Sequence, residues 1–338
     1  MESNKVEDNI LKKSRAGAAR RIISKYAIVF ALIGLVLILT IVSPSFLTGK
    51  NLLNVLTQSS IYGIMALGMT LIIISKGIDL AAGSTVALVG MVAASLAQTT
   101  LATTKVFPNM GELNVIVPVL AAILLGAAIG GINGSLIAYA SLPAFIATLG
   151  MQTIVRGTAL MYTQGKPISN FTDSFMFIGS RIGWLPVPVL IYAICIAATW
   201  ILLGYTRFGK SVYAIGGNIN AARVSGINVK RNIVLIYVYA GFLFGIASLV
   251  FAGRVGSVHP GAATGYELTA IASTTIGGTS HAGGIGTVWG AVIGALILGV
   301  LRNGLTLLGV QAYWQQVVEG IIIIVAVFID MRKHAVKN

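Results

Sequence analysis

The chain has 338 residues, of which 56% are hydrophobic and only 9% charged, with 40 glycines, one cysteine and a formal net charge of +14. A soluble domain carries roughly 25% charged residues, so this composition excludes an ordinary soluble globule and points to an integral membrane protein. Cys195 alone cannot form an intramolecular disulfide, and no cysteine or histidine cluster with metal-ligand spacing occurs. The cations track segment ends and no basic stretch is interleaved with aromatics, so nucleic acid is not expected as a partner.

In chain order, residues 1–25 form a polar, basic tail and Tyr26–Val42 the first apolar run, read as a retained span because no small-residue cleavage site ends it. Further apolar segments cover roughly 53–75, 80–100, 115–139, 144–162, 188–204, 232–252, 266–278, 285–308 and 313–330. The expectation is an all-α polytopic membrane protein of about ten spans, most meeting the ~20 residues a helix needs to cross hydrocarbon. Segment 266–278 is short and is expected to be broken or partly re-entrant, shielded by neighbouring protein. The membrane domain is taken as 26–330, with a loop at 205–231 and a tail at 331–338.

Lysine and arginine set the orientation. With the N-terminus inside, the tail contributes Lys5, Lys12, Lys13, Arg15, Arg20, Arg21 and Lys25. Lys76, then Arg207, Lys210, Arg223, Lys230 and Arg231, then Arg332, Lys333 and Lys337 fall on the same side. Both termini and the 205–231 loop are therefore expected in the cytoplasm. Gly126, Gly130 and Gly134 repeat every four residues, as do Gly286, Gly290 and Gly294; each ladder is expected to let another backbone approach closely, within the same subunit or, as the alternative, across a dimer seam. The stretch 77–90 faintly echoes 278–290.

"GYTRFGKS" at 204–211 matches the P-loop pattern only formally. It follows a run long enough to cross a bilayer, whereas a nucleotide-binding loop follows a strand. Arg207 and Lys210 read better as interfacial cations. His259, His281 and His334 are scattered, and neither a nucleophile motif nor a short-spaced carboxylate pair occurs in the spans, so no catalytic and no metal residues are assigned. Asp79, Glu267, Glu319 and Asp330 lie in or near spans, where a charge costs about 2.5–3.5 kcal/mol at mid-membrane. Asp79 is expected to cap a helix beside Lys76, with a pathway role as the alternative, and Glu267 to stabilise a helix start or line a cavity; Arg156 needs a buried partner or a polar lumen. The candidate pathway residues are Gln58, Ser59, Asn133, Phe145, Thr148, Glu267 and Asn303.

Within the loop, "IGGNINAARVSGI" (215–227) is polar between oily runs. Asn218 or Asn220 suits an N-cap, Ala221, Ala222 and Arg223 a helix body, and Gly226 a stop. So short a helix must dock on something to persist: its own membrane domain, or a soluble partner.

The stretch "TRFGKSVYAIGGNINAARVSGINV" resembles the cytoplasmic coupling segment of permease subunits of bacterial monosaccharide ABC importers. The resemblance runs through "LTQSSIYGIMALGMTLIIISKGIDLAAGS" (56–84), "GINGSLIAYASLPAFIATLGMQTIVRG" (131–157), residues 266–310 and "YWQQVVEGIIIIVAVFIDMRK" (313–333). "TTKVFPNMGEL" (103–113) looks most like the galactose/methylgalactoside branch, while "SPSF" (43–46) and "IGGTS" are shared with ribose permeases. The resemblance implies a type II-like ABC importer permease architecture in a bacterial inner membrane. It implies a homodimer, a separate ATPase with two nucleotide-binding halves that holds ATP and Mg, and an extracytoplasmic sugar-binding protein meeting 101–114 and 163–187. This chain would bind no cofactor. Residues 216–227 would be the coupling helix, drawing on Gly216, Gly217, Asn218, Ala221, Ala222, Arg223, Ser225 and Gly226, with the glycines at its ends. The rival readings are an ion-coupled secondary carrier and a membrane-embedded enzyme.

Overall fold

A computed structural model describes residues 27–102 and 104–335. The basic tail 1–25, Tyr26 at the start of the first run, and the last residues of the C-terminal tail lie outside them. Long helices are α1 (Ala27–Val42), α2 (Gly49–Ile74), α3 (Ala82–Leu96), α4 (Ile116–Ala138), α5 (Ala144–Thr163), α7 (Val187–Tyr205), α10 (Val229–Val255), α12 (Val288–Leu307) and α13 (Ala312–Ala335). Shorter ones are α6 (Asp173–Met176), α8 (Arg207–Gly217), α9 (Ile219–Val224) and α11 (Tyr266–Ile276). Seven of the long helices are long and apolar enough to cross a membrane; α1 and α3 are apolar but shorter. Four two-residue strands pair as β1 (Ile168–Ser169) with β4 (Ser257–Val258), and β2 (Arg181–Ile182) with β3 (Leu185–Pro186), all antiparallel.

Beyond its first two turns, where Leu52 and Leu56 are exposed, helix α2 is predominantly apolar and is enclosed on every face, as such a helix must be. Around it pack α10, α12, α11 and α7, while α1 and α13 lie at the outside with large apolar side chains exposed. In a soluble protein that surface would be an aggregation hazard; here it suits lipid.

The first glycine ladder forms the α4–α10 seam. A Cβ at Gly126, Gly130 or Gly134 would overlap the backbone of Gly241, Tyr237 or Val234 respectively. Close packing inside one chain is therefore its use. The second ladder is corrected in one place. Gly290 abuts Gly277 just past the end of α11 and Gly294 abuts Ser273 within it, but Gly286 precedes α12 and instead meets Ile74 and Thr279.

Two spans are interrupted. Helix α11 has 11 residues, or ~16 Å, about half of a ~30 Å hydrocarbon core. The non-helical chain before it is held by Arg156 of α5, which donates to the carbonyls of Pro260 and Ala262; these carbonyls are the partner that an arginine within a span requires. Helix α3 begins at Ala82 after a non-helical stretch. Asp79 is buried there and accepts from the amide of Ala81 (2.8 Å), so it closes a turn one step ahead of the helix and is not the N-cap, which is Ala81. The first turns of α3 and α11 meet: a Cβ at Gly83 would overlap the Glu267 carboxylate and approach the carbonyl of Ala263.

Candidate functional site

The 205–231 segment folds as two helices. Thr206 ends α7 and caps α8, accepting from the Gly209 amide at 3.1 Å. The P-loop-like stretch is thus a helix–helix junction with a helix, not a strand, before it. Val212, Ile215, Gly209 and Gly216 form the buried side of α8, while Arg207 and Lys210 lie on its open side. Asn218 then caps α9, its side-chain oxygen accepting from the amides of Asn220 and Ala221, both at 3.0 Å. Gly226 follows with φ +80°, a left-handed position with open space around it, so its role is conformational.

Residues 216–227 are accordingly not one helix. Gly216 and Gly217 close α8, and α9 runs only over Ile219–Val224. Ala222 is buried against Ile215 and Val229, whereas Arg223 and Ser225 face outward. Gly216 does more than mark an end. A Cβ there would overlap the carbonyl of Ile74 and the amide of Gly284. The Gly284 amide donates to that same Ile74 carbonyl at 2.8 Å, and Tyr213 Oη donates to the carbonyl of Gly286 at 2.9 Å. Helix α8 is thereby seated on the end of α2 and on the α11–α12 connection. The connection is held in turn by Asp330 of α13, which accepts from the amide of His281 at 3.0 Å and from Ser280 Oγ at 3.2 Å. Lys76, Lys230 and the cations of α8 and α9 cluster here, making this the basic end of the bundle.

A second site lies away from it, between α2, α11, α12 and α13. Arg302 of α12 is clamped by Glu319 of α13: Nε donates to Oε1 and Nη2 to Oε2 (2.6 Å). Nη1 donates to Tyr62 Oη, and Nη2 also to Thr269 Oγ1 at 3.1 Å. The guanidinium lies 4.6 Å from the Tyr62 ring centroid and 5.8 Å from that of Tyr266; the two rings meet edge to face at 4.7 Å. A cavity of about 200 Å³ opens beside the pair, lined by Gln58, Tyr266, Arg302, Gln315, Gln316 and Glu319 among others. An ion pair buried between apolar helices is costly, which makes this cluster a candidate functional site.

Of the seven candidate pathway residues, only Gln58 lines this cavity; its amide lies 3.5 Å from Tyr62 Oη. Asn303, one residue from Arg302, forms a reciprocal amide pair with Asn51 at 2.9 and 2.8 Å, joining α2 to α12. Ser59 is buried against Gly299, Asn133 is buried in α4, and Thr148 returns its hydroxyl to the carbonyl of Ala144. Phe145 is exposed on the outside of α5. Glu267 is buried, accepting from the Gly265 amide at 3.3 Å while its second oxygen faces α3. Arg302, Tyr62, Tyr266 and Thr269 escape the sequence reading. The available signal was an arginine inside the 285–308 span together with Glu319 inside the next.

Among the described residues no group of three or more metal-ligating side chains occurs. Residues 51–327 match the family model described as branched-chain amino acid transport system / permease component. The chain belongs to this permease family. It is therefore a multi-pass membrane permease and not an enzyme. The permease is 44% identical over 310 residues to the ribose import permease protein RbsC of Escherichia coli K12, covering 90% of this chain and 92% of the relative. It is 42% identical over 325 residues to the galactose/methyl galactoside import permease protein MglC of Haemophilus influenzae, covering 94% and 97%. A ribose import permease protein RbsC of Bacillus subtilis is 41% identical over 307 residues, covering 89% and 91%. No solved structure matches the permease.

Proposed function

We propose that the chain is the transmembrane subunit of an ATP-driven importer for a monosaccharide, with galactose or methyl galactoside as the expected cargo and ribose or another pentose as the alternative. The observation that carries this reading is the likeness, over nine-tenths of the chain, to import permeases named for these sugars. Identities of 44% and 42% do not separate ribose from galactose. The preference for galactose rests on the segment 103–113.

In this reading the basic end is cytoplasmic, as are both termini, and the membrane is a bacterial inner membrane. Two copies form the pathway. A partner ATPase with two nucleotide-binding halves holds ATP and Mg and docks on α8 and α9, where Arg223 and Ser225 are open to it. An extracytoplasmic sugar-binding protein delivers cargo at the opposite end, around 101–114 and 163–187. Closing of the ATPase halves displaces α8. Because α8 abuts Ile74 and Gly284 backbone to backbone, with no side chain to absorb the motion, displacement passes into α2, α11 and α12. ATP shifts this equilibrium only by binding one arrangement more tightly than the other.

The test is affinity purification in mild detergent followed by reconstitution. Co-purification of a Walker-type ATPase, with galactose or ribose uptake that stops when ATP is withheld, is the expected result. Uptake by the chain alone in sealed vesicles under a proton or sodium gradient would replace this reading with the ion-coupled carrier.

A further inference from the structure

We infer that the cavity beside Arg302 and Glu319 is a contact site for one neutral, polyhydroxylated sugar ring on its way through the permease. The inference rests on the importer reading and adds to it the place and the chemistry of recognition.

Size is the first argument. About 200 Å³ is of the order that a single sugar ring with its hydroxyls takes up, and less than both rings of a disaccharide need. Chemistry is the second. A sugar ring offers C–H faces and hydroxyl edges, so it needs both an apolar plane and paired donors and acceptors. Tyr266 supplies an aromatic surface at the cavity wall, and the amides of Gln58, Gln315 and Gln316 supply donors and acceptors together. The rest of the lining is polar apart from Ala312, which suits a ligand whose edges are all hydroxyls.

Charge is the third. Arg302 and Glu319 neutralise one another through two hydrogen bonds, so the cavity carries strong dipoles and no net charge. A neutral polyol can exchange hydrogen bonds with the free carboxylate lone pairs, whereas an anion or cation meets one repelling partner of the pair. Place is the fourth. Ala312 and Gln315 at the start of α13 line the cavity, at the end of the bundle opposite the basic end. The site would therefore meet a sugar before the α8 joint does. Helices α2 and α12 run from this site to the α8 joint.

The experiment uses the full chain in native membranes, with Cys195→Ser and a reporter Gln316→Cys, modified by a small hydrophilic methanethiosulfonate. Saturating D-galactose or D-ribose should slow modification at least threefold, while sucrose and galactonate should not; Ser141→Cys, exposed in the α4–α5 connection and outside the cavity lining, controls for effects on the reagent. Tyr266→Phe should keep the protection and Tyr266→Leu should lose it. Glu319→Gln, which leaves Arg302 uncompensated, should make galactonate protective. If Gln316→Cys does not assemble, Gln315→Cys reports on the same wall. No protection by either monosaccharide, in a chain whose partner ATPase still drives their uptake, overturns this site and leaves the importer reading standing. Equal protection by sucrose, or undiminished protection in Tyr266→Leu, also overturns it. If no monosaccharide is taken up and none protects, both readings fail together.

Discussion

Gly216 and Ile74 touch through their backbones: the α carbon of the glycine sits so close to the Ile74 carbonyl that no side chain fits between them. The same carbonyl accepts from the Gly284 amide, so three segments far apart in sequence share one atom. Gly217, the next residue, has open space at its Cβ position. Gly216→Ala should therefore cost about 1–3 kcal/mol as overpacking against backbone that cannot rotate away, while Gly217→Ala should stay within about 0.5 kcal/mol. Thermal unfolding of the detergent-solubilised protein reads the difference. Equal effects at the two positions would mean that the joint is looser than described.

Asn218 separates α8 from α9 with one side-chain oxygen serving two amides. Asn218→Ala should remove about 1 kcal/mol of local stability, and Asn218→Asp should retain it. Global unfolding would barely register this. Hydrogen exchange at the amides of Asn220 and Ala221 should, rising several-fold in the alanine variant alone.

Arg302 and Glu319 stand or fall as a pair. Side-chain exposures of 17% and 12% leave little water to compensate either charge. Glu319→Leu alone should cost about 3–5 kcal/mol, because it strands a buried guanidinium; adding Arg302→Met should recover most of that loss. A double-mutant cycle in thermal stability measures the recovery. Additive losses would show that the two side chains do not depend on each other.

His281 provides the pH dependence. It sits in the α11–α12 connection, with Nε2 2.8 Å from Thr275 Oγ1, and burial pushes its imidazole below the ordinary value, against an opposing pull from Asp330. A lowered folded value means the folded state takes up its proton later than the unfolded state as pH falls. Stability from this group is thus complete above the unfolded value of about 6.5 and declines below it until the folded value is passed. Thermal stability should drop on acidification through that window, and His281→Asn should flatten the drop. An unchanged slope in the variant would assign the effect elsewhere.

Much of the fold was legible because the bilayer imposes a simple rule on sequence. Apolar runs of the right length marked α2, α4, α5, α7, α10, α12 and α13, and the four-residue glycine spacing marked the α4–α10 seam. Asn218 and Gly226 announced the ends of α9 through their own backbone chemistry. Helix α8 was missed because its period is carried by few residues, Phe208, Val212 and Ile215, and because GxxxxGKS drew attention to phosphate chemistry. Gly216 looked like a helix terminator, since a close approach to Ile74 leaves no local trace. The Arg302 cluster escaped for a similar reason. Its members come from four helices, and only their juxtaposition distinguishes them from isolated polar residues that hold helices together.

The mutual cancellation at Arg302 and Glu319 has an electrical consequence. A single elementary charge displaced across the bilayer exchanges about 2.3 kcal/mol with each 100 mV of membrane potential. Two opposite charges locked in a bidentate clasp can rock together without moving net charge through that field. This pair should accordingly add no voltage dependence of its own: the ratio of transport rates in polarised and depolarised cells should be the same in the protein and in its Arg302→Met, Glu319→Leu double variant.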